Sequence, residues 1–517
     1  MLRSGERVSL VLLTTTRGRL HIQNCGFDKH SINIKAKTGI GHTRDIMSPI
    51  YVYIWFDIED YVTKESDDLP LVAFQILEKY GVPVTCKMVA EKVRRLEENG
   101  RADVISAIAR HDVGFHLDTH SQHPTLYEYL SNLDVLSGAD QFLAHEGIGL
   151  EKVKQTFSRI PSCFGHPGPT WAPHVYPALA KSNIPVYLDE TSILTLDDEP
   201  YWYCGILNLN GANRNFISFD YTFERENGLE VLKRKFKKLH DRLQTKGGGA
   251  VSVLFHLHTA INKKFWDEVN FAHGKNTPIE NYRRPPAQPT MITERAWRSF
   301  EEFVTYMSSL EDVKFITASD AAKIYQRPGP LCLNHEQLLE VAKHFRKSPD
   351  FMTLKGTVIS PAEAFHAVTK ALIDQPSEHV QVGEPLGPMD SFRSTGKRRL
   401  NAKDFLAAAK KALDHIDRQG CLPTSISVGD CAQLNPHDFL ATACGLLPIV
   451  LSGKPLPEQV RLSTTKPPNQ NYISAANFKK ACKWSVLRRD FEGSKILEQI
   501  KLQAWTLKPA RAVEPPP

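Results

Sequence analysis

The long stretch from Pro49 to Tyr325 most constrains what this chain can become, because short β-rich apolar runs alternate there with helical patterns. Ile50–Phe56 reads IYVYIWF and leads into the acids Asp57, Glu59 and Asp60. Leu69–Tyr80 has helical spacing and stops at Gly81. Val82–Met88 (VPVTCKM) reads as the next strand. Val89–Arg110 is mostly helical, with a break at Asn99–Gly100. Asp112–His116 (DVGFH) is a short strand, Leu126–Leu133 starts a helix, and Ile184–Leu188 (IPVYL) is a further strand. Ala250–His256 (AVSVLFH) follows the Gly247–Gly249 loop as a buried strand. The amphipathic helix Trp297–Leu310, the strand Val313–Thr317 and the helix Ser319–Tyr325 close the series. Such alternation predicts an α/β domain with a largely parallel sheet or barrel.

The 517 residues suggest two to four domains. With 41% hydrophobic and 24% charged residues, a wholly disordered chain is excluded. No apolar run reaches the roughly 18 residues of a membrane-spanning helix. The net charge is +6, and its excess lies from Leu331 onward, which reads as a solvated basic face rather than one that touches an anionic polymer. The nine cysteines lack CxxC spacing, which argues against a disulfide framework or a zinc finger. The N-terminal run VSLVLL is too short for a secretory signal, so a cytoplasmic location is expected. Residues 1–46 read as an extension, 47–328 as the α/β domain, and 331–517 as a mainly helical region beyond the Arg327–Pro330 (RPGP) boundary. Within that region Val358–Leu372 and Gln433–Leu447 echo one another, each starting with a capping Ser360 or Asn435 and then Pro. Tyr472–Ala481 is a weaker third copy, and Asp374–Arg399 reads as a linker or long loop. Repetition of this kind predicts stacked helical units that bury their own faces, removable without loss of the barrel.

Candidate chemistry collects at strand ends. Asp57, Glu59 and Asp60 follow the first strand; His116, His120 and His123 follow DVGFH; His256 and His258 follow AVSVLF. The C-terminal ends of barrel strands converge on one face. Carboxylates and imidazoles gathered there suit one divalent metal, zinc above all, with an open position for water. A lone acid after a strand is more often a cap, and a lone histidine more often an ordinary residue. Three histidines within eight residues, beside an acidic strand end, shift the balance toward a metal site.

Over Pro49 to Tyr325 the sequence resembles the NodB-type polysaccharide deacetylases (carbohydrate esterase family 4), a group that also includes allantoinase-like amidases. WFDIEDY matches the family's strand followed by two acids. The resemblance implies Asp57 as general base and Glu59 as metal ligand, with Asp60 the competing ligand. His116 and His120 match the paired-histidine motif as ligands, although Leu117 replaces the usual Ser/Thr, and His123 is the reserve. CFGHPGPTW keeps Pro167 and Gly168 of the Arg–x–Pro–x–Gly motif but lacks its arginine, which orients the base in the family; His166 is the expected substitute. Leu254, Phe255 and His256 match Leu–x–His, implying His256 as general acid, and Asp189 suggests the fourth motif. His166, Pro167, Gly168 and Trp171 are expected to line the substrate groove.

The resemblance implies a distorted (β/α)7 barrel of seven strands, one catalytic zinc, and hydrolysis of a C–N bond in an N-acetylated sugar or polysaccharide. Two alternatives stay open: an allantoinase or cyclic-imide type of amidohydrolase, and a carbohydrate-binding barrel without catalysis. Phe405–Leu440 resembles pseudomurein-binding repeats, which implies that 331–517 contacts a cell-wall polymer. The expected partners are therefore a glycan or small amide, with no nucleic acid and no membrane.

Overall fold

The computed structural model describes residues 48–189, 191–196, 199–210, 214–326, 330–374 and 379–512, together with the strands 13–16 and 19–22. The chain divides into two units, 1–46 and 47–517. In the first, Leu13–Thr16 and Arg19–Ile22 pair as an antiparallel hairpin.

The second unit is built on one large sheet. Ile50–Ile58 lies at its centre, between Gly249–Phe255 and Thr85–Met88. Asp112–Phe115, Cys163–Phe164, Val186–Asp189 and Ile206–Asn210 continue on one side, and Phe216–Ser218 ends the other. These eight strands are all parallel. Tyr201–Tyr203 and Lys508–Pro509 extend the Ile206–Asn210 edge in antiparallel fashion, and Val313–Phe315 pairs with the start of Ile50–Ile58. The α/β class is as expected, but the parallel path has eight strands rather than seven. Among the described residues no pairing joins Ile206–Asn210 to Phe216–Ser218. Cys163–Phe164 and Phe216–Ser218 span only two and three residues, too short to show a period in sequence.

Alternation along the first strand explains its unbroken apolar text. Ile50, Val52, Ile54 and Phe56 enter the core against the helices, while Tyr53 and Trp55 enter a second cluster with Val186, Leu188, Leu207 and Leu254. A parallel strand covered on both faces needs apolar residues at every position. The sheet is strongly curled. Lys87 and Asp189 sit three strands apart, about 14 Å across a flat sheet, yet Lys87 Nζ donates to Asp189 Oδ2 at 2.9 Å.

Helices cover the outer face. Leu69–Lys79 ends before Gly81, whose φ of 64° turns the chain back, and Ala90–Glu98 and Ala102–Ile108 are separated at Gly100. Sequence patterning misses the long helices Val135–Phe157 and Gly228–Lys246. Among the described residues no helix is long and apolar enough to cross a membrane.

Residues 331–461 hold a second core made from a duplicated unit. In the first copy Cys332–Asn334 leads into His335–Phe345, a hairpin, the helix Pro361–Asp374, and the strand His379–Gln381 that pairs back on the first. The second copy repeats this order with Arg399–Asn401, Ala402–Gln419, a hairpin, Pro436–Leu451 and Gln459–Arg461. The echo of Val358–Leu372 and Gln433–Leu447 thus falls on equivalent places. The stretch Asp374–Arg399 is not only a linker, since it carries the strand that closes the first copy.

Two expectations change here. Tyr472–Ala481 is no third copy; it holds the short helix Ala475–Ala481 and is tied to the barrel by Ser474 N–H on Ile193 O at 2.8 Å and Thr195 N–H on Tyr472 O at 3.1 Å. Nor does 331–517 bury only its own faces. Phe478, Leu487, Phe491, Ile496, Ile500 and Leu507 belong to the barrel core. An amphipathic helix shows which face is apolar but not what will cover it.

Candidate active site

Because the strands are parallel and the sheet is curled, residues at their C-terminal ends meet in one cavity of about 210 Å³. Asp57 and Glu59 reach it from the first strand, His116 from Asp112–Phe115, Asp189 from Val186–Asp189, and His256 from Gly249–Phe255.

Glu59 is the hub, and its side chain is almost fully buried. Its Oε2 lies 3.3 Å from His116 Nε2 and 3.0 Å from His120 Nε2. Its Oε1 lies 3.1 Å from His258 Nε2 and accepts from Trp266 Nε1 at 3.2 Å. Burial alone would raise the Glu59 carboxyl, but the surrounding His120, His116 and His258 imidazoles hold it well below the ordinary range.

The histidine partners define which nitrogen faces Glu59. His116 Nδ1 is 2.9 Å from Gly165 O, a carbonyl that can only accept, so Nδ1 carries the hydrogen. His120 Nδ1 is 2.6 Å from Ser121 Oγ, whose own hydrogen goes to Asp267 Oδ2 at 3.0 Å. In the neutral rings both Nε2 atoms then turn lone pairs toward a carboxylate. His120 Nε2 makes no hydrogen bond. Burial lowers the His116 pKa, and the Lys87 charge adds to this against the pull of Asp57, whereas Glu59 and Asp267 raise His120 against its burial, so without a cation between them His120 is the ring that holds a proton more readily. Three acceptors turned on one point suit a cation. The two spacings from Glu59 Oε2, 3.3 and 3.0 Å, lie near the roughly 3.4 Å expected between tetrahedral ligands about 2.1 Å from zinc. Glu59, His116 and His120 could therefore hold a metal ion, and the outer bonds from Gly165, Ser121 and Asp267 are the kind that orient ligating histidines.

The turn between the two histidines is unusual. Leu117 and His120 have φ of 68° and 62°, a region disfavoured for side chains larger than Gly. This left-handed path lets two residues four apart leave one strand end and converge without a helix. It is held by Ala90 N–H on Leu117 O at 3.0 Å, and by Asp118 N–H on Glu146 Oε2 at 2.8 Å.

Glu146 carries its own prediction. Burial raises its pKa from about 4.5 to about 7, with only partial relief from the Asp118 and Tyr129 bonds. A carboxyl with a raised folded pKa contributes stability that is full below the unfolded value and is lost as pH rises to the folded one. Unfolding free energy should therefore fall by up to about 3 kcal/mol between pH 4.5 and 7 from this group. In Glu146→Gln that part of the slope should vanish in paired denaturant titrations. Parallel wild-type and variant slopes would refute the assignment.

Asp57 stands beside the Glu59 cluster. Its Oδ2 is 3.8 Å from His116 Nε2 and 3.3 Å from His256 Nε2. Its Oδ1 is 3.0 Å from Lys87 Nζ, which also bonds Asp189 and lies 4.1 Å over the Trp55 ring. Burial would raise Asp57, but His116, Lys87 and His256 together hold it far below the usual range. Lys87, from the neighbouring strand, is thus the cation that bridges Asp57 and Asp189. Gly165 makes room for it, since a Cβ there would collide with Lys87 Nζ and Asp189 Oδ2. His166 lines the cavity but bonds Tyr187 OH at 3.0 Å, and it is Lys87 that contacts Asp57.

His256 Nδ1 is 2.7 Å from Asp220 Oδ2, which leaves Nε2 toward Asp57. Burial pulls the His256 pKa down, but Asp220, Asp57 and Glu59 raise it well above the usual histidine value. Asp220, two residues past the strand Phe216–Ser218, was missed in the sequence, where the three-residue strand shows no period and the acid ending FISFD is its one mark.

The remaining candidates lie elsewhere. Asp60 caps a turn, accepting from Val62, Thr63 and Asn262. His123 is bound at both nitrogens, to Glu128 Oε2 at 2.6 Å and Phe271 O at 3.0 Å. Trp171 is buried, with Nε1 donating to Tyr176 OH at 2.8 Å, and Pro167 does not line the cavity. Gly168 does line it, and the tryptophan against it is Trp484 from the C-terminal segment.

No family model and no curated protein matches the sequence. Among solved structures, the chain is similar to a putative polysaccharide deacetylase from Mycobacterium smegmatis at 16% identity, with 54% of this chain and 90% of that chain covered and a TM-score of 0.36. A probable polysaccharide deacetylase from Pseudomonas aeruginosa PAO1 gives 14%, 55%, 93% and 0.36. Puue Allantoinase gives 12%, 54%, 91% and 0.36.

Proposed function

We propose that this chain is a metal-dependent hydrolase of C–N bonds in amides, either the N-acetyl group of a sugar or a small cyclic amide. The observation that carries the reading is the pairing of two sets of groups in one cavity. Glu59, His116 and His120 form a ligand set, and beside it Asp57 Oδ2 and His256 Nε2 stand 3.3 Å apart. A metal held there supplies Lewis acidity, polarising an amide carbonyl and lowering the pKa of water.

The chain's own groups do the proton work. Asp57, kept ionised by Lys87, accepts the proton of the attacking water. Lys87 and Asp189 fix the carboxylate orientation, so the accepting oxygen is Oδ2. Attack converts the planar amide carbon to a tetrahedral one. His256, protonated and oriented by Asp220, then gives its Nε2 proton to the departing nitrogen as the C–N bond breaks. Without that proton the leaving group would be an amide anion, which is why an acid is needed at this place.

The test uses the full chain loaded with zinc and a panel of N-acetylated sugars and cyclic amides. Asp57→Asn and His256→Ala should each lower turnover by about 10²–10⁴-fold with metal content unchanged. The rate should follow a bell against pH. It falls at high pH as His256 loses its proton, above the ordinary histidine range, and at low pH as Asp57 gains one. His256→Ala should remove the alkaline limb and Asp57→Asn the acid limb. Near-full turnover in Asp57→Asn would sink the mechanism and favour a binding barrel without catalysis.

A further inference from the structure

We infer that Trp484 makes this site a pocket for a single small ring, so that the substrate is a ring-sized amide (a cyclic amide or one N-acetylated sugar) rather than an internal unit of a polymer. The inference rests on the hydrolase reading above and adds the size class of its substrate.

Trp484 belongs to no strand or helix of the barrel; it follows the helix Ala475–Ala481. Its indole covers Gly168, where a Cβ would meet Trp484 Cε2 at 2.5 Å. It also stands edge-on to His120, with ring centroids 6.5 Å apart. A second aromatic, Phe265, stands edge-on to His256 and His258, at 5.0 and 4.8 Å. Both aromatics are half-buried and line the cavity. The reacting groups thus share their cavity with two aromatic side chains against which a small ring can pack.

The volume agrees. About 210 Å³ falls below the roughly 300–1,000 Å³ of sites that take drug-sized ligands. An internal polymer unit needs open paths on both sides of the reacting bond, and here Trp484, at the His120 and Gly168 part of the lining, and Phe265, at the His256 part, both take up space beside the reacting groups.

The Trp484 wall is fixed in place. Ser485 Oγ donates to Glu268 Oε1 at 3.0 Å. His273 N–H donates to Ser485 O at 2.9 Å and Gly274 N–H to Val486 O at 3.1 Å. The Val486 side chain is fully buried among Tyr61, Val89, Trp266 and Phe271. A residue anchored this way sets the pocket's limit instead of yielding to a longer ligand.

The experiment compares succinimide, allantoin and N-acetylglucosamine with N-acetylated chitotetraose. It measures kcat/KM on the zinc-loaded full chain and calorimetric Kd on the metal-free chain. The intact chain should favour at least one single-ring probe over the tetramer by about 100-fold or more, and Trp484→Ala should narrow that ratio by about tenfold or more. Trp484→Phe keeps an apolar cover over Gly168 and should fall between, which guards against a folding defect in the smaller variant. Equal or better binding and turnover of the tetramer by the intact chain overturns the inference, as does a preference unchanged in both variants. If no probe is hydrolysed while binding keeps the size limit and Trp484→Ala relaxes it, the hydrolase reading falls and the pocket assignment stands.

Discussion

His116→Ala is expected to leave a folded protein that no longer retains a stoichiometric divalent metal and has no measurable amide hydrolysis. The ring supplies one of three ligand atoms. Outer partners of such sites are worth about 10–100-fold in metal affinity, so loss of a ligand should exceed that range. The fold should survive. Glu59 keeps His120, His258 and Trp266 as partners, and the lost bond to Gly165 O costs about 1–3 kcal/mol. His123→Ala is the control. Its ring is engaged by Glu128 and Phe271 O, away from Glu59, so metal content should not change. Elemental analysis of both purified variants decides the matter. Metal retained in His116→Ala and lost in His123→Ala would reverse the ligand assignment.

A chain ending at Gln326 is expected to fail to fold, although sequence patterning alone predicts that it would. Six large apolar side chains of the barrel core (Phe478, Leu487, Phe491, Ile496, Ile500 and Leu507) come from beyond that point. At about 1.5–3 kcal/mol each, their burial totals roughly 10 kcal/mol or more. That is comparable with the whole stability of a typical domain, about 5–15 kcal/mol. The cut also removes Lys508–Pro509 from the sheet edge and the Tyr203 OH bond to Ile500 O at 3.0 Å. The truncated product should elute as aggregate, bind a hydrophobic dye and show no cooperative thermal transition. A monomer unfolding cooperatively near the Tm of the full chain would show that the tail's contacts are dispensable.

The alternation of apolar strands and amphipathic helices was enough for the α/β class, and Asp57, Glu59, His116, His120 and His256 were legible because strand-end position is a one-dimensional property. The echo of Val358–Leu372 in Gln433–Leu447 was legible for the same reason, since repeats are local. What sequence could not decide was which distant groups meet. Glu59 and Asp60 differ in the direction of two side chains one residue apart, one facing the histidines and the other capping Val62 and Thr63. Lys87 reads as an ordinary strand residue in VTCKM, and only the curl of the sheet brings it between Asp57 and Asp189. Gly165 looks like a departure from a motif until the ammonium passing over it is seen. Trp171 and Trp484 carry equal apolar weight in the text, and packing sent the first into the core and the second to the cavity. Periodicity records how a segment divides its faces, whereas electrostatic partners and pocket walls depend on through-space distances that strand order and curl create.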